Sequence, residues 1–232
     1  MKKLNIAIDG YAGCGKSTLA KDLARSLGFT FVDTGALYRG ITYAVLDAEV
    51  SIDATAVEAF LKQAQLRLDF HSDDNQLLLN GKDIEEVIRT DARIADHVSP
   101  VAAIPAVRDY LDGAQKAFVR QGGIVMEGRD IGTVVMPDAD LKVFVTASIE
   151  ERVNRRFKQL QDSGKVITRE EVAKNLLDRD AKDAGREVAP LRKAADAIAL
   201  DTSQFDRVQQ LEVCLALVRP YLDPASYFRF MS

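Results

Sequence analysis

The sequence predicts an α/β fold, a five-stranded parallel sheet flanked by helices and organised around a glycine-rich turn between the first strand and the first helix. Three observations predict it. Leu4, Ile6 and Ile8 make a short apolar run that enters Gly10-Tyr11-Ala12-Gly13-Cys14-Gly15-Lys16-Ser17 directly. Leu19, Ala20, Leu23, Ala24 and Leu27 then recur at helical spacing. Further apolar runs at 29–32, 124–126, 141–145 and 197–200 are separated by helical stretches, and those at 124–126 and 141–145 lack alternation, as parallel strands buried on both faces do.

The turn fits G-x-x-x-x-G-K-[ST], the P-loop pattern, and has the strand before it and the helix after it that the pattern requires. Gly10, Gly13 and Gly15 let the backbone bend so that successive N–H groups face one polyphosphate, at the positive end of the following helix. Lys16 adds a point charge for the β- and γ-phosphates. Ser17 offers a hydroxyl to Mg²⁺, a hard cation that takes oxygen ligands.

A chain of 232 residues with 47 % hydrophobic content can bury the core of one domain carrying inserted subdomains. A net charge of −4 speaks against a nucleic-acid polymer or a membrane surface as partner. No apolar run approaches the ~18 residues of a membrane span, and the apolar stretch after Met1-Lys2-Lys3 is too short for a signal peptide. The expectation is a cytoplasmic monomer. Cys14 and Cys214 have neither disulfide-framework nor zinc spacing, and Cys214 reads as a core residue of the last helix. Cys14 precedes a helix N-terminus, which makes a thiol thiolate-prone if accessible and inert if buried. His71 and His97 are isolated and read as structural or surface residues.

Each element has its signal. The strand at 29–32 ends in Asp33-Thr34-Gly35, and 36–48 reads as a helix carrying Tyr38 and Arg39; Thr34 is either a helix cap or, with Tyr38 and Arg39, a ligand-facing group at the carboxyl edge of the sheet. Residues 53–63 form a further amphipathic helix. Alternation then takes over (Leu66, Leu68, Phe70, Leu77, Leu79), with Asn80-Gly81 as a type I′ hairpin turn and Asp73-Asp74-Asn75 as an earlier one: a small β insertion. Residues 84–98 have helical spacing, Ser99-Pro100 opens the next segment, and Pro105 starts a long helix to about Arg120 that carries Arg108. Ser99 and Arg108 are turn and solvated residues unless the fold brings them to a site.

The strand at 124–126 ends in Glu127-Gly128-Arg129-Asp130, where P-loop enzymes place a metal-side carboxylate; Arg129 and Asp130 are exposed there or form a surface ion pair. Ser148-Ile149-Glu150-Glu151 and Thr168-Arg169-Glu170-Glu171 are capping boxes, so a helix begins at each, and the two form a helical hairpin joined through Asp162-Ser163-Gly164-Lys165. The hairpin is rich in Arg152, Arg155, Arg156, Arg169, Arg179, Lys182 and Arg186. Pro190-Leu191 closes it, 197–200 is the fifth strand, 205–218 a last helix, and 221–232 an aromatic tail.

A nucleotide on the P-loop and an anion held by Arg39, Arg129 and Arg186 make phosphoryl transfer the natural reaction. A phosphate acceptor with a second pKa near ~6 is mostly dianionic at neutral pH and needs no general base. Guanidinium groups, Lys16 and Mg²⁺ neutralise the approaching anions, and the basic hairpin makes a lid that excludes water. A P-loop kinase with another small acceptor, or a nucleotide-dependent switch, remains open at this point; the Asn-Lys-x-Asp motif of a GTPase is absent.

The P-loop, Asp33-Thr34-Gly35-Ala36-Leu37-Tyr38-Arg39, Gly128-Arg129-Asp130-Ile131-Gly132-Thr133 and the spaced set Arg179-Asp180, Asp183, Arg186, Pro190-Leu191 together resemble the bacterial cytidylate kinase family of nucleoside monophosphate kinases over nearly the whole chain. The resemblance implies the P-loop kinase fold, with core 1–34, 99–150 and 187–232, a monophosphate-binding region 35–98 containing the β insertion, and a lid 151–186. It implies ATP on Gly10, Tyr11, Ala12, Gly13, Cys14, Gly15, Lys16, Ser17 and Thr18, and transfer of its γ-phosphoryl group to CMP or dCMP. Thr34 lies beside the monophosphate, Tyr38 near it, and Arg39, Arg129 and Arg186 hold its phosphate. Arg179 and Asp183 approach the sugar; Ser99, Arg108 and Asp130 meet the cytosine. Lys16, Arg129, Arg186 and Arg152 are the catalytic candidates, and Mg²⁺ sits on Ser17 with Asp33 and Glu127 reaching it through water. Tyr11 and Cys14 depart from the family's more frequent Pro and small residue.

Overall fold

The computed structural model describes residues 3–64, 66–71, 76–162 and 164–222. Strand β1 (Asn5–Gly10) feeds the P-loop and α1 (Lys16–Leu27), then β2 (Thr30–Asp33) and α2 (Thr34–Asp47). After α3 (Ala54–Gln63) come β3 (Leu68–His71), β4 (Gln76–Leu79) and β5 (Lys82–Asp83), a three-stranded antiparallel sheet. Helices α4 (Glu85–Thr90), α5 (Ala92–Ala102) and α6 (Pro105–Gln121) lead back to β6 (Ile124–Gly128) and β7 (Leu141–Thr146). The helical hairpin is α7 (Ile149–Asp162) and α8 (Arg169–Ala184), followed by β8 (Ile198–Asp201) and α9 (Arg207–Val218). The main sheet has five parallel strands in the order β2-β6-β1-β7-β8. With β1 central, the carboxyl ends of β1, β2 and β6 converge, and the chain reverses strand order beside β1, where open α/β sheets bind ligands.

Two apolar clusters hold this edge in place. Ile6, Ile8, Leu19, Leu23, Leu27, Val143, Val145 and Val218 pack α1 and α9 on one face of the sheet, and Cys14 and Cys214 are buried among them. The other large cluster centres on α2, where Leu37, Ile41 and Val45 meet Val57, Leu77, Ile88, Ile94, Val107 and Leu111. Leu77, on β4, is fully buried there. Leu77, with partly buried Leu79 packed on the same cluster, thus fastens the small sheet, and truncation of Leu77 to Ala removes about 2–5 kcal/mol.

Several local expectations hold in detail. Asn80 (φ 51°) and Gly81 (φ 79°) are both left-handed, as a type I′ turn between β4 and β5 demands. Thr168 and Glu171 make a full capping box for α8. At Ser148 only half of one forms: its hydroxyl accepts from Glu151 N–H at 3.2 Å, while Ser148 N–H donates to Ser203 instead and Glu151 pairs with Arg155. The turn expected at 73–75 and the tail beyond 222 lie outside the described residues.

Others are corrected. The helical stretch 84–98 is two helices, because Asp91 ends α4 and its carboxylate caps α5 through Arg93 N–H at 2.8 Å. Ser99 and Pro100 open nothing; they lie inside α5, Pro100 being tolerated in its last turn. The cap of α2 is Asp33, accepting from Ala36 N–H at 2.9 Å, and not Thr34, whose hydroxyl donates to Glu127 C=O at 2.8 Å. A π-helical turn, Ile131–Val135, follows Asp130, which no periodicity announces.

Candidate functional site: a phosphate loop facing an arginine-lined cavity

The P-loop is shaped by its glycines. Gly10 has φ 155°, and a Cβ there would lie 2.1 Å from Val145 C=O on the neighbouring strand, so only glycine lets β1 pass β7 at this point. Gly13 (φ 74°) and Gly15 (φ 88°) supply the left-handed turns that bring the chain onto the N-terminus of α1. Gly13, Gly15, Lys16, Ser17 and Thr18 border a cavity of about 660 Å³.

Seven arginines line that cavity, Arg155 against the loop itself and Arg39, Arg89, Arg129, Arg156, Arg179 and Arg186 besides, and with Lys16 they face only four carboxylates, Asp33, Glu127, Asp130 and Asp183. The carboxylates are all committed. Asp183 accepts from Ser99 Oγ at 2.9 Å, from Arg129 Nε at 2.8 Å and from Arg186. Burial alone raises its pKa, but the charges of Arg129, Arg186 and Arg179 prevail and hold it low. Asp33 is buried too, yet Arg39 and Arg89, at 2.9 and 3.2 Å from its Oδ2, together with Ala36 N–H, bring its carboxyl down to about 2. Asp130 pairs with Arg108, which also donates to Ala102 C=O at 3.2 Å and lies over the Tyr38 ring; burial nevertheless pushes Asp130 up.

The cations retain capacity for an anion. Buried Nε groups of Arg39, Arg179 and Arg186 have no hydrogen-bond partner. Arg179 is lowered to about 10, first by burial and then by Arg129, and Lys16 is lowered by the same two causes. Desolvated cations packed together cost several kcal/mol each, which a polyanion in the cavity offsets. The donors therefore fit phosphates. A hard cation fits less completely: Ser17 Oγ donates to Glu127 Oε1 at 2.6 Å, and these two oxygens would supply only part of the oxygen shell such a cation takes. Among the described residues no cluster of three or more His, Cys, Asp or Glu side chains suited to a metal occurs. Asp33, expected on the metal side, holds two arginines.

Most predicted site residues meet here: Thr34, Tyr38, Arg39, Ser99, Arg129, Asp130, Arg179, Asp183 and Arg186 all line the cavity. Arg108 stands behind Asp130. Arg152 does not reach the cavity; it is buried, lies over the Tyr11 ring, and bonds to Asp180 and to Ala12 C=O. Tyr11 turns its ring edge-on to Phe144, 5.7 Å away. Cys14 is fully buried, which decides between the two readings of that thiol in favour of the inert one. Residues the sequence did not single out are Arg89, Thr202 and Asp9, and Asp180, quoted within the resemblance, had no role assigned to it. Asp9 accepts Ile131 and Gly132 N–H at 2.8 and 2.7 Å and so fixes the π-helical turn behind Asp130. Its one signal in the sequence is a charged residue ending an apolar strand, directly before a P-loop glycine. His97 is half-buried on α5, its Nδ1 2.7 Å from Arg93 C=O.

No helix among the described residues is long and apolar enough to cross a membrane. The fold is shared with an uncharacterized protein from Eubacterium ventriosum, at 12 % identity and a TM-score of 0.51 over 94 % of this chain and 99 % of that one. A family model described as cytidylate kinase matches residues 6–220. The cytidylate kinase of Desulfitobacterium hafniense is 47 % identical over 217 residues, covering 93 % of each chain. That of Carboxydothermus hydrogenoformans is 44 % identical over 201 residues, 86 % of this chain and 90 % of the relative. With a glycine-shaped phosphate loop facing an arginine-rich cavity, and this similar to named relatives over most of its length, the chain belongs to the cytidylate kinase family, whose members are enzymes of the nucleoside monophosphate kinase type.

Proposed function

We propose that the protein transfers the γ-phosphoryl group of ATP in line to the phosphate of CMP or dCMP, as a cytoplasmic monomer whose site is complete within one chain. The observation that carries this reading is the opposition of two anion-binding surfaces across one cavity: backbone N–H groups and Lys16 on one side, and Arg39, Arg129, Arg179 and Arg186 on the other. A single nucleotide does not use both. Two phosphates brought together do.

On this reading Gly10 to Thr18 hold the ATP phosphates, and Lys16 follows the transferring group. Arg39, Arg129 and Arg186 hold the acceptor phosphate beside Thr34, with Tyr38 close by. Arg179 and Asp183 approach its sugar. Asp183 ties Ser99, Arg129 and Arg186 into one unit, so the sugar and phosphate contacts are set together. Asp130, Arg108 and Ser99 face the cytosine: a carboxylate directed at C4 accepts from its amino group and repels the O4 of uracil. Ser17 and Glu127 would hold Mg²⁺, which when bound neutralises charge on the transferring phosphoryl group. No general base is required, because the acceptor is already anionic. Region 35–98 receives the monophosphate, and 151–186 forms the lid that excludes water.

The test is ADP formation from Mg-ATP with CMP, dCMP, UMP, AMP and GMP supplied in turn, and without acceptor. CMP and dCMP should give kcat/KM at least about tenfold above the rest. Equal rates for all five, or ADP formation independent of acceptor, would overturn the reading.

A further inference from the structure

Ala12 is a P-loop residue whose two backbone polar groups are both taken by one ion pair from the helical hairpin. Its N–H donates to Asp180 Oδ1 of α8 at 3.1 Å, and its C=O accepts from Arg152 Nη1 of α7 at 3.2 Å, while Arg152 also pairs with Asp180 Oδ2. Two residues on, Cys14 C=O accepts from Arg155 Nη1 at 3.2 Å and from Thr202 Oγ1 at 3.1 Å. Among the described residues no peptide bond is cis. In a trans peptide the C=O of one residue and the N–H of the next point in opposite directions. Tying Ala12 C=O and Cys14 C=O outward to α7 therefore turns the N–H groups of Gly13 and Gly15 the other way, and both glycines border the cavity.

We propose that Arg152, Asp180, Arg155 and Thr202 are positioning residues that aim the phosphate-binding amides of Gly13 and Gly15, so that Arg152 serves the reaction through the loop it holds. Stability alone is a poor account of the pair. A buried ion pair is often no more stable than apolar residues of the same volume. What distinguishes this one is that both partners also bond the same loop residue, Asp180 through its second carboxylate oxygen and Arg152 through the Nη1 that it shares between Asp180 and Ala12 C=O. The cluster Ala12, Val153, Val172 and Leu176 packs the hairpin against the loop at the same point. The inference rests on the proposed phosphoryl transfer, since it assigns the loop amides to a transferred phosphate.

The experiment uses the full chain with Arg152→Ala, Arg152→Lys, Asp180→Asn, Thr202→Val and the double variant Arg152→Ala/Asp180→Asn. Each is assayed at a temperature where circular dichroism shows it folded, for kcat, for KM of CMP, and for affinity of a fluorescent ATP analogue. Misdirected amides are expected to lower kcat by about 100-fold in Arg152→Ala and by roughly tenfold in Thr202→Val, with KM for CMP within about threefold of wild type. Arg152→Lys, which keeps one donor, should recover at least about fivefold. The double variant should be no worse than about threefold below the worse single one, because both remove one device. Additive losses, or loss confined to KM for CMP, would show direct contact with substrate and overturn the proposal. So would kcat within threefold of wild type in folded Thr202→Val and Arg152→Ala. If Arg152→Ala does not fold, Thr202→Val and Asp180→Asn decide the matter. Absence of CMP-dependent ADP formation in the wild-type chain would strike the reading of function instead.

Discussion

The phosphate loop and the arginine-lined side of the cavity, the proposed acceptor side, both present donors suited to anions, but they are built differently. The loop is eight consecutive residues whose geometry comes from glycine dihedrals and whose donors are backbone N–H groups. The acceptor side is assembled from side chains on α2, α4, the end of β6, α7, α8 and the segment after α8, held apart from one another by shared carboxylates. A loop made of backbone tolerates changes in most of its side chains and none in its glycines. A pocket made of side chains is tunable residue by residue, and two of its arginines, Arg89 and Arg129, are placed by carboxylates far along the chain. Binding a phosphate common to all substrates suits the first design, and choosing among acceptors suits the second.

The comparison breaks most sharply at Lys16, the loop's one charged side chain in the cavity. Lys16→Met should remove at least ~3 kcal/mol of transition-state stabilisation, about 100-fold or more in kcat/KM, with the fold intact. Turnover within tenfold of wild type in folded protein would sink the division of labour.

The acceptor side is sharpened by two substitutions next to each other. Arg129→Ala should depress kcat/KM for CMP and UMP by similar factors, because the phosphate it holds is common to both. Asp130→Ala should change their ratio, by about 10- to 150-fold for a charged hydrogen bond of roughly 1.5–3 kcal/mol. A CMP/UMP ratio within threefold of wild type in Asp130→Ala means that Asp130 does not read the base.

The two regions also differ in how pH acts on them. Asp33, held at about 2 by Arg39 and Arg89 against its burial, is depressed below an unfolded value near ~3.9. Its stabilisation, on the order of 2 kcal/mol, is complete above pH ~4 and disappears as pH falls towards 2. Asp9, at the end of β1, has the opposite sign: burial, opposed by the N–H groups of Gly132 and Ile131, raises it to about 6. Folding then favours its protonated form, so stability is greatest below pH ~4 and is lost as pH rises to about 6, again by a few kcal/mol. Thermal unfolding against pH should therefore flatten between 4 and 6 in Asp9→Asn and between 2 and 4 in Asp33→Asn. Unchanged slopes would reject the assignment for that residue.

The smallest effect is expected at the thiols. Cys14 and Cys214 are both buried, and burial pushes Cys214 up to about 12. Iodoacetamide labelling of native protein should be slow at both and indifferent to Mg-ATP. Fast labelling of Cys14 that nucleotide blocks would return it to the cavity.

How much of this was legible follows the same division. The P-loop, the five parallel strands, the hairpin at Asn80-Gly81 and the capping box at Thr168 all rest on neighbours in sequence, and each is present. The break at Asp91 was missed because a side chain capping its own backbone looks like any polar residue in a helical pattern. Ser99 looked like a turn residue beside Pro100 and is instead a buried hydroxyl on Asp183.

By itself the sequence determined the phosphate loop and the order of the elements, since glycine dihedrals, turn residues and apolar periodicity act over a few residues. Only the tertiary structure decided which arginines face the cavity and which, like Arg152, stand behind the loop. It also decided that Asp33 holds Arg89 from α4 and that Asp180 grips Ala12 across 168 residues of chain. The physical reason is range: a charged side chain carries no local mark of its partner, and partners brought together by packed clusters far apart in sequence are known only once those clusters have formed.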